Sequence, residues 1–185
     1  MPQNLKDHHI AILVVDGFEQ AELEEPRRAL TAAGVRTSIV STKNEPVQGM
    51  NHDEKADTFD VDMTWANADP ADFTGALIPG GVLNADDIRM DARAQAFVRS
   101  IEKSGKPLAV ICHGPWLLIS AEMVKGRTLT SWPSLRDDLN NAGAHWVDQE
   151  VVLDGNWVSS RKPADLPAFN EAFIKLLERT TKSAA

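Results

Sequence analysis

A single cysteine, Cys112, occurs among the 185 residues. No disulfide can form within the chain, which suits a reducing compartment. Basic residues are also scarce. Nineteen Lys and Arg stand against 27 Asp and Glu, a formal net charge of −8, and that balance disfavours a nucleic-acid backbone or an anionic membrane as the main partner. No apolar run reaches the roughly 18 residues that a membrane span needs. The opening stretch from Met1 to His9 is polar and carries no apolar signal region. Residues 1–8 are expected to form a flexible tail, and the protein to be soluble and cytoplasmic. His8, His9, His52 and His145 lack ligand spacing, so neither a metal nor any other cofactor is expected. There is no internal repeat or low-complexity linker. With 43% apolar residues, the chain reads as one domain over residues 1–185 with a substantial core.

Apolar periodicity divides that domain into alternating strands and helices. Ile10 to Val15 is nearly continuous in apolar residues, as buried parallel strands tend to be. Helical spacing follows through Leu23, Leu30 and Ala33 and stops at Gly34, with a kink or restart expected at Pro26. Val35 to Val40 reads as a second strand, Ser41 to Met63 as a small hairpin with loops, and Ala76 to Pro79 as a short buried strand. A helix over Asp91 to Lys103 precedes the strand that ends at Cys112, and a further helix is expected through Met123. Leu129-Thr130 reads as a short strand, Ser134 to Asn141 as a helix, and Val151 to Ser159 as a hairpin around Asp154-Gly155. Ala164 to Arg179 closes the chain as a helix. This alternation predicts a flavodoxin-like three-layer α/β/α sandwich around a mostly parallel sheet.

Ligand sites of such sheets gather at the C-terminal ends of the strands. Three predicted strand ends carry chemistry: Asp16-Gly17-Phe18-Glu19-Gln20, Gly80-Gly81 and Cys112-His113. Gly114-Pro115 after the cysteine permits a sharp turn into a helix, whose N-terminus is expected to lower the thiol pKa. A free cysteine is also commonly a small core residue, and the glycine pair is also a simple tight turn. Glu19 reads either as a first-turn acid, like Glu22, Glu24 and Glu25, or as a buried carboxyl sharing a proton with sulfur. The amides of Gly81 and His113 are candidates for an oxyanion hole.

These segments carry a resemblance. Asp16 to Leu23, Leu77 to Gly81, Ala109 to Pro115, Asp148 to Val152 and Ser159 to Leu166 resemble the PfpI-type intracellular cysteine protease and deglycase family, within the class I glutamine amidotransferase-like superfamily. The likeness covers nearly the whole chain after residue 8. It implies Cys112 as nucleophile, His113 as its base, Glu19 as the acid at the thiol, and Gly81 with His113 as oxyanion hole. It also implies an acid from a neighbouring subunit that orients His113. Asp86 matches that position best, with Asp87 as alternative, so a homodimer or higher oligomer is expected. The activities implied are glyoxalase III-type conversion of small dicarbonyls, removal of early glycation adducts, and peptide hydrolysis, all without cofactor. Carbonyl or glycation-adduct chemistry ranks first; a peptidase and a redox-sensing or chaperone-like stress protein remain as alternatives. A glutamine amidotransferase is disfavoured because His145 is followed by Trp146 and Val147, and an α/β-hydrolase because Val110 stands where its glycine belongs.

Overall fold

The computed structural model describes residues 5–183. Strand β1 (His9–Leu13) leads through the short β2 (Phe18–Glu19) into helix α1 (Gln20–Ala32). Then come β3 (Arg36–Ser41), the hairpin β4 (Val47–Asn51) and β5 (Glu54–Phe59), and the short β6 (Met63–Thr64). Strand β7 (Gly75–Ile78) runs into α2 (Val82–Ile88), followed by α3 (Ala92–Lys103). Strand β8 (Leu108–Ile111) runs into α4 (Pro115–Ser120). The chain finishes with β9 (Thr128–Leu129), α5 (Arg136–Asn141), β10 (His145–Trp146), the hairpin β11 (Val151–Asp154) and β12 (Trp157–Ser160), and α6 (Leu166–Ser183).

Seven strands form the central sheet in the order β11-β12-β8-β7-β1-β3-β6. All neighbours are parallel except the β11–β12 edge pair. Strand alternation supplies two apolar layers. Ala11 and Leu13 of β1, with Leu108 and Val110 of β8, face a cluster that includes Phe73, Phe97 and Leu117. Ile10 and Ile12, with Ala109 and Ile111, face Leu23, Leu30, Phe169, Phe173 and Leu177 of α1 and α6. Helices thus cover both faces of the sheet, and the three-layer sandwich expected from the alternation is what forms.

Several local expectations change. Helix α1 passes through Pro26 without restarting. The ring removes one backbone donor, and burial of Leu23, Pro26 and Leu30 along one face holds the helix together. Residues 82–88, given no element in the sequence analysis, form α2, because Gly81 turns the chain with φ +86° three residues after β7. The helix after the cysteine stops at Ser120, short of Met123. Leu5 and His8 are buried, so residues 5–8 are not a flexible tail; residues 1–4 of that stretch lie outside the described residues. No helix among the described residues is long and apolar enough to cross a membrane.

Phe169 is fully buried where α6 covers the sheet. Phe169→Ala is expected to cost about 3–5 kcal/mol by leaving a cavity, read as a lower midpoint in chemical denaturation with the oligomeric state unchanged.

Candidate active site

Cys112 is the first residue after β8, and its backbone is left-handed at φ +61°. A non-glycine residue in that region costs of order 1–3 kcal/mol and persists only when its surroundings over-determine it. They do so here. The Cys112 N–H donates to the Ser160 carbonyl at 3.1 Å, its own carbonyl accepts from Trp132 N–H at 2.9 Å, and Gly114 N–H closes the turn onto Ile111 at 2.9 Å. The bend reverses the side chain relative to the strand, and Sγ lies 3.2 Å from Nδ1 of His113. An adjacent histidine, which a regular strand would point to the opposite face, is thereby brought to the thiol.

Strand β7, beside β8, ends at Gly80-Gly81 and brings the second component. A side chain on Gly80 would place its Cβ 2.6 Å from both the Cys112 Cβ and the Glu22 carboxylate, so only glycine lets these groups meet. The Gly80 N–H donates to Glu22 Oε2 at 2.7 Å, while the peptide N–H groups of Gly81 and His113 are directed at the sulfur. Asn84, fully buried on α2, fixes the arrangement: its Oδ1 accepts from Val15 N–H at 2.8 Å and its Nδ2 donates to the Gly80 carbonyl at 3.0 Å. The sequence reading missed Asn84 as a positioning residue; its placement just after the glycine pair was the available sign.

The carboxyl at the thiol belongs to Glu22, not to Glu19. Glu22 is fully buried and interacts with the Cys112 thiol, whereas Glu19 Oε2 accepts from His52 N–H at 3.1 Å. The physical reason is helical phase. Glu22, Pro26 and Leu30 are spaced by four and form one buried stripe of α1. Glu19 precedes the helix in β2, paired with β4, and faces the turn between β4 and β5. An acid in register with a buried stripe was the signal that reading Glu22 as an ordinary first-turn acid passed over.

Burial pushes Glu22 up to about 8, with the charge of Glu19 adding to the effect against the Gly80 amide. Its Oε1 is sealed from solvent without a nitrogen or oxygen partner, which suits a protonated carboxyl. The Cys112 thiol is pushed up, first by burial and then by the charge of Glu22; the Gly81 and His113 amides pull it down. The expectation of a thiol lowered by the helix N-terminus is therefore corrected: α4 has only six residues, and desolvation outweighs its end. When Glu22 is protonated that repulsion vanishes; both groups are shifted upward and titrate as a coupled pair. Burial depresses His113 to about 4, leaving a neutral imidazole at pH 7. It is stacked on Trp132 at 5.8 Å and edge-on to Trp116 at 5.4 Å.

The resulting cavity of about 170 Å³ is lined by Glu19, Glu22, His52, Gly81, Val82, Cys112, His113, Trp132 and Pro163. A larger depression of about 540 Å³ along α1 is lined by neither cysteine nor histidine among the described residues. Asp86 and Asp87 lie on the exposed side of α2, and neither reaches His113 within the chain. Among the described residues the second ring nitrogen of His113 has no hydrogen-bond partner.

Residues 8–176 match the DJ-1/PfpI family model. The chain is 42% identical over 168 residues to a deglycase of Thermococcus kodakarensis, covering 91% of this chain and 98% of that protein. It is 40% identical over 169 residues to Deglycase PfpI of Pyrococcus furiosus, covering 91% and 99%. Among solved structures, the DJ-1/ThiJ/PfpI-like part of a two-domain Anabaena variabilis protein superposes with TM-score 0.87 at 31% identity, covering 92% of this chain and 48% of that one. Drosophila melanogaster DJ-1beta superposes at 0.82 and 24% identity, covering 96% and 97%, a likeness of fold.

Because Glu22 binds its proton more tightly folded than its ordinary 4.5, the stabilisation from that proton is complete below about pH 4.5. It is lost as pH rises towards 8. Glu22→Gln keeps the shape without the titration. Its stability advantage over the parent protein should therefore grow between pH 5 and pH 8, reaching about 1–3 kcal/mol. Urea unfolding at the two pH values measures it; an equal difference at both would show that Glu22 is not a raised carboxyl.

Proposed function

The chain belongs to the DJ-1/PfpI family, and we propose that it acts there as a cysteine-dependent enzyme on small reactive carbonyls and the early glycation adducts they form. The carrying observation is the convergence of Cys112 Sγ, a buried carboxyl that holds a proton near neutrality and two peptide N–H groups in a cavity of about 170 Å³. Such a space takes a molecule of a few heavy atoms and excludes a folded polypeptide, which ranks carbonyl chemistry above proteolysis.

In this reading the thiol proton passes to the neutral His113 as sulfur attacks an aldehyde carbon. The carbonyl oxygen becomes an oxyanion received by the Gly81 and His113 N–H groups, and protonation gives a hemithioacetal. With methylglyoxal, loss of the C1 proton to a site base and protonation of C2 convert this adduct to a lactoyl thioester. The aldehyde carbon is oxidised as the ketone carbon is reduced, so no external oxidant is needed. Water then cleaves the thioester and restores the thiol. Glu22, titrating near 8, is suited to carry the proton between the two carbons. An early adduct on an amine enters the same route when the amine leaves as the carbon passes to sulfur.

His113 lacks an orienting acid within its own chain, and the reading assigns that role to Asp86 from a second copy in a homodimer or larger oligomer. Val82 and Leu83, 50% and 58% exposed on α2, flank the approach and favour such a contact.

Purified protein should convert many equivalents of methylglyoxal to lactate, and Cys112→Ala should lower the rate at least about a thousandfold. Consumption that stops at one equivalent per chain would replace catalysis with stoichiometric modification of a sensor thiol.

A further inference from the structure

Glu19, displaced from the thiol by Glu22, still lines the cavity. Its side chain is 12% exposed, its Oε2 is held by the His52 N–H at 3.1 Å, and His52 itself is 85% exposed. His52 sits at φ +59° in the turn between β4 and β5, so the backbone presents its amide to Glu19. Among the described residues no lysine or arginine lines the cavity. The guanidinium of Arg161, close by in sequence to the lining residue Pro163, is already paired with Asp148 and Asp165. The charge of Glu19 is held by the His52 N–H, with the exposed His52 imidazole Nδ1 3.8 Å from the same oxygen, and it reaches the site, where it is one of the influences that keep the proton on Glu22. Trp132, 39% exposed, lines the same cavity and offers an aromatic surface that attracts cations.

We infer that Glu19 is a specificity residue: it biases the Cys112 cavity towards neutral and cationic carbonyl compounds and against those bearing a carboxylate or phosphate. The favoured class is the adducts that small dicarbonyls form on lysine and arginine side chains. The disfavoured class includes oxo-acids and phosphorylated sugars. A negative charge beside a narrow, partly desolvated entrance lowers the local concentration of anions and raises that of cations. This rests on Cys112 as the reacting atom of the proposed function, but not on which carbonyl is turned over.

Because Cys112 is the only cysteine, charge-tagged thiol reagents read the cavity without any turnover. Aminoethyl, methyl and sulfonatoethyl methanethiosulfonates each form a disulfide with Sγ and release methanesulfinate, and they differ mainly in charge. At pH 8, with rates normalised to a free small thiol, the cationic reagent should react at least about tenfold faster than the anionic one. Glu19→Gln should reduce that ratio about fivefold, Glu19→Asp should keep most of it, and high salt should flatten it. A ratio equal to that of the free thiol, or one unmoved by Glu19→Gln, overturns the inference even if methylglyoxal turnover is intact. Absence of turnover with the charge ratio present would instead overturn the proposed function and leave Glu19 in its role.

Discussion

The coupling between a buried carboxyl and a buried sulfur is the constraint around which this molecule is arranged. Glu22 and Cys112 are both removed from water, and two negative charges side by side in that setting are prohibitive. The pair therefore binds protons more tightly than either group would alone. A protonated carboxyl carries no charge to repel a thiolate where a carboxylate does, so the state of Glu22 decides how strongly the thiol is suppressed.

Holding this pair together costs backbone freedom, and the sheet supplies the means. Strands β7 and β8 are parallel neighbours, so their C-terminal ends arrive side by side and deliver Gly80 and Cys112 to one point. Gly80 carries no side chain because the carboxyl and the cysteine occupy that space. Cys112 accepts a left-handed backbone because the ends of β12 and the Trp132 segment fix it from two sides. Asn84 then ties β1 to β7 across the same edge. Strain, desolvation and an orphaned carboxyl oxygen all concentrate within these few residues, while the two apolar layers supply the stability that tolerates them.

The two glutamates show how one helix start divides labour. Residue 19 ends an extended segment and faces the cavity entrance; residue 22 lies one turn into α1 and points inward. Three residues of separation give one carboxyl that tunes a proton and another that sets the field at the mouth. The charge at the entrance belongs to the side chains that line this particular cavity.

The layered α/β architecture and the convergence of three strand ends were legible in the linear chain, because apolar periodicity reports burial directly and parallel strands deposit their C-terminal ends on one edge. So was the meeting of Cys112, His113 and Gly81 in one cavity, since a lone cysteine at an abrupt strand end and a glycine pair at its neighbour are local signals. The choice of Glu22 over Glu19 was not legible, because it depends on where α1 begins and how that helix is rotated against β7. Nor was the upward shift of the thiol, since desolvation is a property of packing from every side. The chain order determined which reactive groups exist and roughly where they come together; only the folded packing decided which carboxyl lies beside the thiol, because a few ångströms and the exclusion of water set that energy.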